Sequence, residues 1–214
     1  MIILLGVEDG FFENLTAVFF VFATVLFFIS YRRTKNIFLL SLVLLLFFGA
    51  GEEISWGQRI LHFMTPDSIN KINAQHEFNI HNLEIFNYTN LKGVKKTAWH
   101  RLLDFNLLYR IFSMIFLVCL PIFFYHVKSR LVANKKIQMP VVPVTIGIFF
   151  FISLVIFYSL KYFILPAGKM QRYYFTITEI FEFTTAYIYF IAALYFYNRK
   201  DNNFLGKGIK QTLL

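Results

Sequence analysis

A chain of 214 residues that is 57% hydrophobic and 20% aromatic, with 29 Phe, carries more apolar surface than a soluble domain of this size can bury. A formal net charge of +9 points to nucleic acid or anionic lipid until the charges are placed, and the single Cys119 excludes an intrachain disulfide. Composition therefore specifies an all-α fold: one polytopic, integral membrane helical bundle over 1–214, with about five transmembrane helices and one ordered polar extracytoplasmic loop.

The first 14 residues read as a short amphipathic lead. They lack a basic start and reach Glu8 and Asp9 too early for a signal peptide, so an uncleaved protein is expected. The first span is expected at about 15–31, stopped by Arg32-Arg33-Thr34-Lys35. The second runs over about 37–60, straight through Glu52 and Glu53. Each is long enough for a hydrocarbon layer of about 30 Å. Residues 61–99 form the longest polar region, with Pro66 and many Asn, and read as an ordered outer loop with short helices. The third span, about 103–126, should be kinked or loosened near Pro121. A basic loop at 128–138 follows. The fourth span covers about 141–164, bracketed by Pro140, Pro143 and Pro166. A tight loop at 167–172 leads to the fifth span, about 173–197, and a short basic tail. Cys119 falls inside the third span as an apolar filler.

Five spans put the two ends of the chain on opposite sides. The segments 32–35, 128–136 and the tail then share a side that holds 11 of the 21 Lys and Arg but only one of the 12 acids, Asp201. These cations are compact and juxtamembrane. That places them in the cytoplasm of a bacterial inner membrane, with the N-terminus and the 61–99 loop outside. Topology and anionic lipid account for the basic face, and no nucleic acid partner is expected.

The stretch that stands out is Gly51-Glu52-Glu53-Ile54-Ser55-Trp56-Gly57-Gln58-Arg59-Ile60. Carboxylates at membrane depth are costly, by roughly 2.5–3.5 kcal/mol on insertion scales, and mark functional sites by default. On a continuous helix Glu52, Trp56 and Arg59 share a face, with Glu53 on the next. An internal Glu52–Arg59 brace and a ligand-holding face both fit. Glu179 and Glu182, at i and i+3 in the fifth span, come at matching depth. The available cations on that side are Arg59, Arg101, Arg110, Lys161 and Arg172. The third component is Asn73-Ala74-Gln75-His76-Glu77-Phe78-Asn79-Ile80-His81-Asn82. Read with period 2 it has one polar face. Read as a helix it pairs Glu77 with His81 and Gln75 with Asn79.

Two chemistries suit this set. Glu53, Glu77, His81 and Glu182 offer oxygen and imidazole ligands to a divalent metal cofactor. Alternatively, Glu52, Glu53, Glu77, His81 and Glu182 act as catalytic acids and bases, with Trp56, Arg59, Gln75, Asn79, Asn82 and Glu179 binding a polar head group. A Ser55 nucleophile lacks the Gly-x-Ser-x-Gly setting.

Glu52-Glu53-Ile54-Ser55-Trp56-Gly57-Gln58-Arg59, followed by Thr65-Pro66 and Asn73-x-Gln75-x-Glu77-x-Asn79-x-His81-Asn82, resembles the marker of a family of uncharacterised bacterial multi-pass membrane proteins. The resemblance covers about thirty residues and implies importance for them without implying a reaction. In size, span count and composition the chain is also similar to small membrane accessory proteins of RNA-targeting CRISPR systems. Their Arg-x(4–6)-His signature does not occur here. The expected function is an intramembrane enzyme acting on a lipid or lipid-linked substrate. The alternatives are an oligomeric channel with carboxylates at its axis and a non-catalytic accessory in defence or stress response.

Overall fold

The computed structural model describes residues 10–131, 139–164 and 171–199. The expected lead before residue 10, most of the basic loop, residues 167–170 of the expected tight loop and the tail from 200 lie outside the described residues. Those described are helical throughout their long elements and contain no β-strand, only isolated bridges at Asn73–Leu83 and Thr89–Lys95. An all-α bundle is what the sequence specified.

Helix α1 spans Phe11–Thr34. Lys35 ends it in the left-handed region, and the Asn36 side chain then accepts the Phe38 N–H at 2.9 Å to cap α2, Ile37–Glu53. Two residues thus turn the chain back on itself. A short helix, α3 (Gln58–Leu61), leaves the end of α2 at a bend of 63°. Helix α4 occupies Phe105–His126, opened by Asp104, whose carboxylate accepts the Leu107 N–H at 2.9 Å. Helix α5 runs Val144–Ser159 and continues through a π-turn at Leu160–Ile164, and α6 covers Gln171–Asn198. Four of these helices are long and apolar enough to cross a membrane, five if the bent α2–α3 pair counts as one span. The chain is a multi-pass membrane protein.

The second span differs most from expectation. A continuous helix to residue 60 was expected, but α2 stops at Glu53 because Ser55, Trp56 and Gly57 take φ of 47°, 53° and 84° in succession. Three left-handed residues reverse the helical sense, and the two that are not glycine cost roughly 1–3 kcal/mol each. Side-chain bonds made by Ser55 and Trp56 offset that cost, as described below.

α1 and α6 pack in parallel as the centre of the bundle. Ring pairs run along the whole seam, from Phe12–Phe183 at 5.7 Å through Phe19–Tyr187 at 5.2 Å to Phe27–Phe196 at 5.9 Å. At its far end Arg33 donates to the Tyr197 carbonyl at 3.0 Å. Parallel first and last helices require the start of α1 and the end of α6 to lie at opposite ends of the bundle. α2 packs on α1 through Leu39, Leu42, Leu46 and Ala50. Phe20 of α1 fills the space beside Gly49, where a Cβ would meet its ring at 3.3 Å, and its other edge reaches Tyr109 of α4. α5 joins α6 through Phe157–Phe181, centroids 4.6 Å apart.

The expected loosening near Pro121 is present as a π-turn over Ile115–Cys119. Pro121 has no N–H for the carbonyl four residues back, Leu117 O, and the helix widens there. That carbonyl is the atom against which Gly147 of α5 packs: a Cβ on Gly147 would lie 2.3 Å from it. Cys119 is exposed on the bundle's outer surface, where lipid is its neighbour. Gly147→Val should force α5 away from α4 and cost about 1–3 kcal/mol or more. Its melting temperature in detergent should fall well below that of Gly93→Val, at a loop tip open to space, although Gly93 has the less favourable φ. Equal melting would show that the close helix crossing is absent.

Candidate functional site

The site builds outward from the reversal at the end of α2. Trp56 folds back and lies flat on Gly51, where a Cβ would meet the indole at 2.9 Å; only glycine leaves room. Its Nε1 donates to Glu52 Oε1 at 2.5 Å, and its ring rests on Phe48 at 5.7 Å. Glu52 is 3% exposed and fully engaged. Its second oxygen accepts the backbone N–H of Ile80 and of His81, each at 2.7 Å, and His81 Nδ1 at 3.2 Å. A buried carboxylate needs such a set of donors.

A second node forms one turn on. Glu77 accepts from Ser55 Oγ and Asn79 Nδ2, both at 2.7 Å, and from Arg59 at 3.1 Å. Arg59 also donates to Glu13 of α1 at 2.7 Å and to the Glu53 carbonyl at 3.2 Å. Asn73, fully buried, donates to Asn79 and accepts the Gln75 and Glu77 N–H groups. Asn82 bonds Gln75. Gln58 accepts the Phe78 N–H at 2.7 Å and donates to Thr65, whose hydroxyl passes the chain of bonds to the His76 carbonyl. Residues 73–82 are thus neither strand nor helix. They form a turn-rich loop folded across the end of the bundle as a cap.

Several expectations are corrected by this arrangement. Arg59 braces Glu13 and Glu77 rather than Glu52, because the helix breaks between them. The expected Glu77–His81 and Gln75–Asn79 pairs are replaced by Glu77–Asn79, Glu52–His81 and Gln75–Asn82. Glu52 and Glu77 have their oxygens taken by the cap, so neither stands ready as a catalytic acid or base. Glu53, Glu77, His81 and Glu182 do not converge as metal ligands: among the described residues no group of three or more His, Cys, Asp and Glu is placed to hold a metal ion. The physical reason is that Glu77 and His81 turn toward Arg59 and Glu52, on the cap side of the α2 end.

What remains lies below the cap. Glu53 sits in the electrostatic field of Glu182, Glu179 and Glu13, offset by Arg59. Glu182 interacts with His81, Arg110 and Glu13. Among the described residues neither the Glu53 nor the Glu182 carboxylate accepts a hydrogen bond. Tyr109 stands in the field of both, its hydroxyl facing Thr185, whose own hydroxyl donates to the Phe181 carbonyl. Arg110 lies over the Phe157 ring at 5.7 Å. His81 rests beside Phe105, centroids 6.0 Å apart, and its Nε2 is not hydrogen-bonded among the described residues. Of the α2 and α6 acids expected to meet, Glu53 lies in the field of Glu179 and Glu182, while Glu52 points away into the cap.

Glu13, Ser55, Gln58, Thr65, Asn73 and Tyr109 enter the site without having been assigned a role from the sequence. An acid at position 13, just before a long apolar run, was the one signal for Glu13. Nothing local marks Tyr109. Compared with family models, curated proteins and solved structures, the chain matches none. The geometry alone carries its reading.

The cap and the sub-cap carboxylates should respond differently to neutralisation. Glu77→Ala removes an acceptor shared by Arg59, Ser55 and Asn79 and should cost about 2–3 kcal/mol, seen as a lower melting temperature and faster proteolysis of the cap. Glu53→Gln keeps the shape, removes one like charge from the cluster and should melt no lower than wild type. A Glu53→Gln protein as unstable as Glu77→Ala would make the whole cluster a structural brace.

Proposed function

We propose that the capped end of the bundle is the acid–base site of an intramembrane enzyme acting on a lipid or lipid-linked substrate. The observation that carries this reading is His81: its Nδ1 faces a buried, fully hydrogen-bonded Glu52, its Nε2 is not hydrogen-bonded among the described residues, and its ring acts electrostatically on Glu182. A carboxylate acceptor at Nδ1 fixes that nitrogen as the N–H and leaves Nε2 as the basic lone pair. Glu52 is then a positioning residue. In this mechanism Nε2 takes a proton from an attacking water or hydroxyl, and the Glu53–Glu182 pair returns one to the departing oxygen. Carboxylates gathered away from water must be balanced by cations or protons, and the charge of Arg110 acts on Glu182 in the first role.

The reading extends to orientation. The flanks of α1 and α6 that meet at Arg33–Tyr197 carry the basic residues, and we place that end in the cytoplasm of a bacterial inner membrane, with the cap outside. A reporter active only in the cytoplasm, fused after Leu214, should be active. An inactive C-terminal fusion with an active N-terminal one reverses the orientation.

The enzymatic reading is tested on whole lipid extracts from cells expressing wild type, His81→Gln or Glu182→Gln at equal membrane levels. Wild type should deplete one lipid class and enrich another, with turnover falling about 100-fold or more in both variants. Identical lipid profiles in wild type, variants and empty-vector cells would overturn it and favour the accessory or channel roles.

A further inference from the structure

Outside the spans, the most exposed apolar residues are gathered on two short segments. Met64, Leu61 and Ile60 are 91%, 72% and 69% exposed, and Trp99 is 80% exposed. Leu102 and Leu103 extend the second group. Among the described residues Phe163, on α5, is the one other apolar residue above 70%, and Val94, at 61%, is the next most exposed outside the spans. Singly such residues need no explanation, but a group this exposed marks a surface that meets something apolar.

In the segment 58–65, Gln58, Arg59 and Thr65 turn their polar groups inward, while His62 is exposed. Gln58 bonds the Phe78 N–H, the Phe63 carbonyl and Thr65; Arg59 bonds Glu13 and Glu77; Thr65 bonds the His76 carbonyl. Phe63 turns in against Phe78 at 5.6 Å. Ile60, Leu61 and Met64 are left facing out. In water this arrangement is inverted, because apolar groups should be the ones covered. Against a bilayer it is the expected one.

Covalent continuity fixes the depth. Residues 60–64 follow the end of α2 directly, after the 63° bend, and 99–103 lead directly into α4 at Phe105. Both segments are therefore held close to the level where two spans leave the membrane. We propose that residues 60–64 and 99–103 are two membrane-embedded lips of the cap, lying in the head-group and acyl boundary of the leaflet on that side. The occupant of this apolar surface is lipid. The cap then rests in the interface instead of standing in water, and the polar network of Gln58, Arg59 and Thr65 holds the apolar side chains down into it. This inference is independent of any catalytic role.

The test uses full-length protein in phosphatidylcholine–phosphatidylglycerol vesicles with Cys119→Ser as background. Met64→Cys and Trp99→Cys are each labelled with an environment-sensitive fluorophore. Lys92→Cys, on the exposed Asn90–Gly93 turn, serves as the aqueous reference, and Leu61→Cys substitutes where a first variant fails to fold. Lipids bearing a nitroxide high on the acyl chain should quench the labels at 64 and 99 at least threefold more than the label at 92. Aqueous iodide should show the reverse order. Labels at 64 and 99 quenched by iodide as strongly as that at 92 would overturn the proposal and leave the lips in water. Protection from both quenchers would overturn it too, by showing that protein, such as a second copy of the chain, covers them.

Discussion

Everything at the capped end depends on one constraint: a carboxylate at 3% exposure, Glu52, has to be given donors, and α2 alone has none to give it. A helix has spent its own N–H groups on its own carbonyls, so the donors must come from elsewhere. The protein supplies them by reversing the helix at Ser55–Gly57, which returns the Trp56 indole to Glu52, and by laying the 73–82 loop across the helix end so that two consecutive backbone N–H groups point at the same oxygen. Each half of this solution requires the other. Without the reversal, Ser55 and Arg59 do not reach Glu77; without the loop, Glu52 is a charge left in an apolar medium.

The same economy divides the polar residues into two populations. Glu52, Glu77, Asn73, Asn79 and Gln58 are consumed by the cap, each with several directional bonds. Glu53 and Glu182 are not, and they act on one another electrostatically together with Tyr109 and Arg110. His81 belongs to both, tied to the cap by one ring nitrogen and leaving the other. A rigid shell supporting a small set of uncommitted titratable groups is the general construction of a site, since positioning needs bonds that the working groups cannot themselves spare.

Away from the cap the bundle relies on close approach and on aromatic area. Gly49, Gly51 and Gly147 each accept a neighbour that a methyl group would push away: a Phe20 ring, the Trp56 indole and the Leu117 carbonyl. With no hydrophobic drive between helices in lipid, such approaches and the ring seam between α1 and α6 carry the association. The π-turn before Pro121 is part of this economy, since it sets the backbone of α4 against the one residue of α5 that has no side chain to collide with it.

The sequence by itself determined the class, an all-α multi-pass bundle, because a spanning segment announces itself by length and apolar composition alone. It also singled out Gly51–Arg59 and Asn73–Asn82, which the structure joins by hydrogen bonds, and it marked Pro121 as a weak point, since the missing N–H is a covalent fact. Tertiary structure decided the partners. Periodicity assigned Glu52, Trp56 and Arg59 to one helical face, but three left-handed residues broke that face, and nothing in local propensity foretells a Ser-Trp pair in αL. Pairing of Glu52 with His81 spans 29 residues, and that of Arg59 with Glu13 spans 46. Such bonds are selected by which donors the folded chain brings within 3 Å, a matter of packing geometry that spacing along the chain does not encode. For the same reason the pooled Glu and His residues, which looked like one ligand set, separate into a structural cap and an uncommitted pair beneath it.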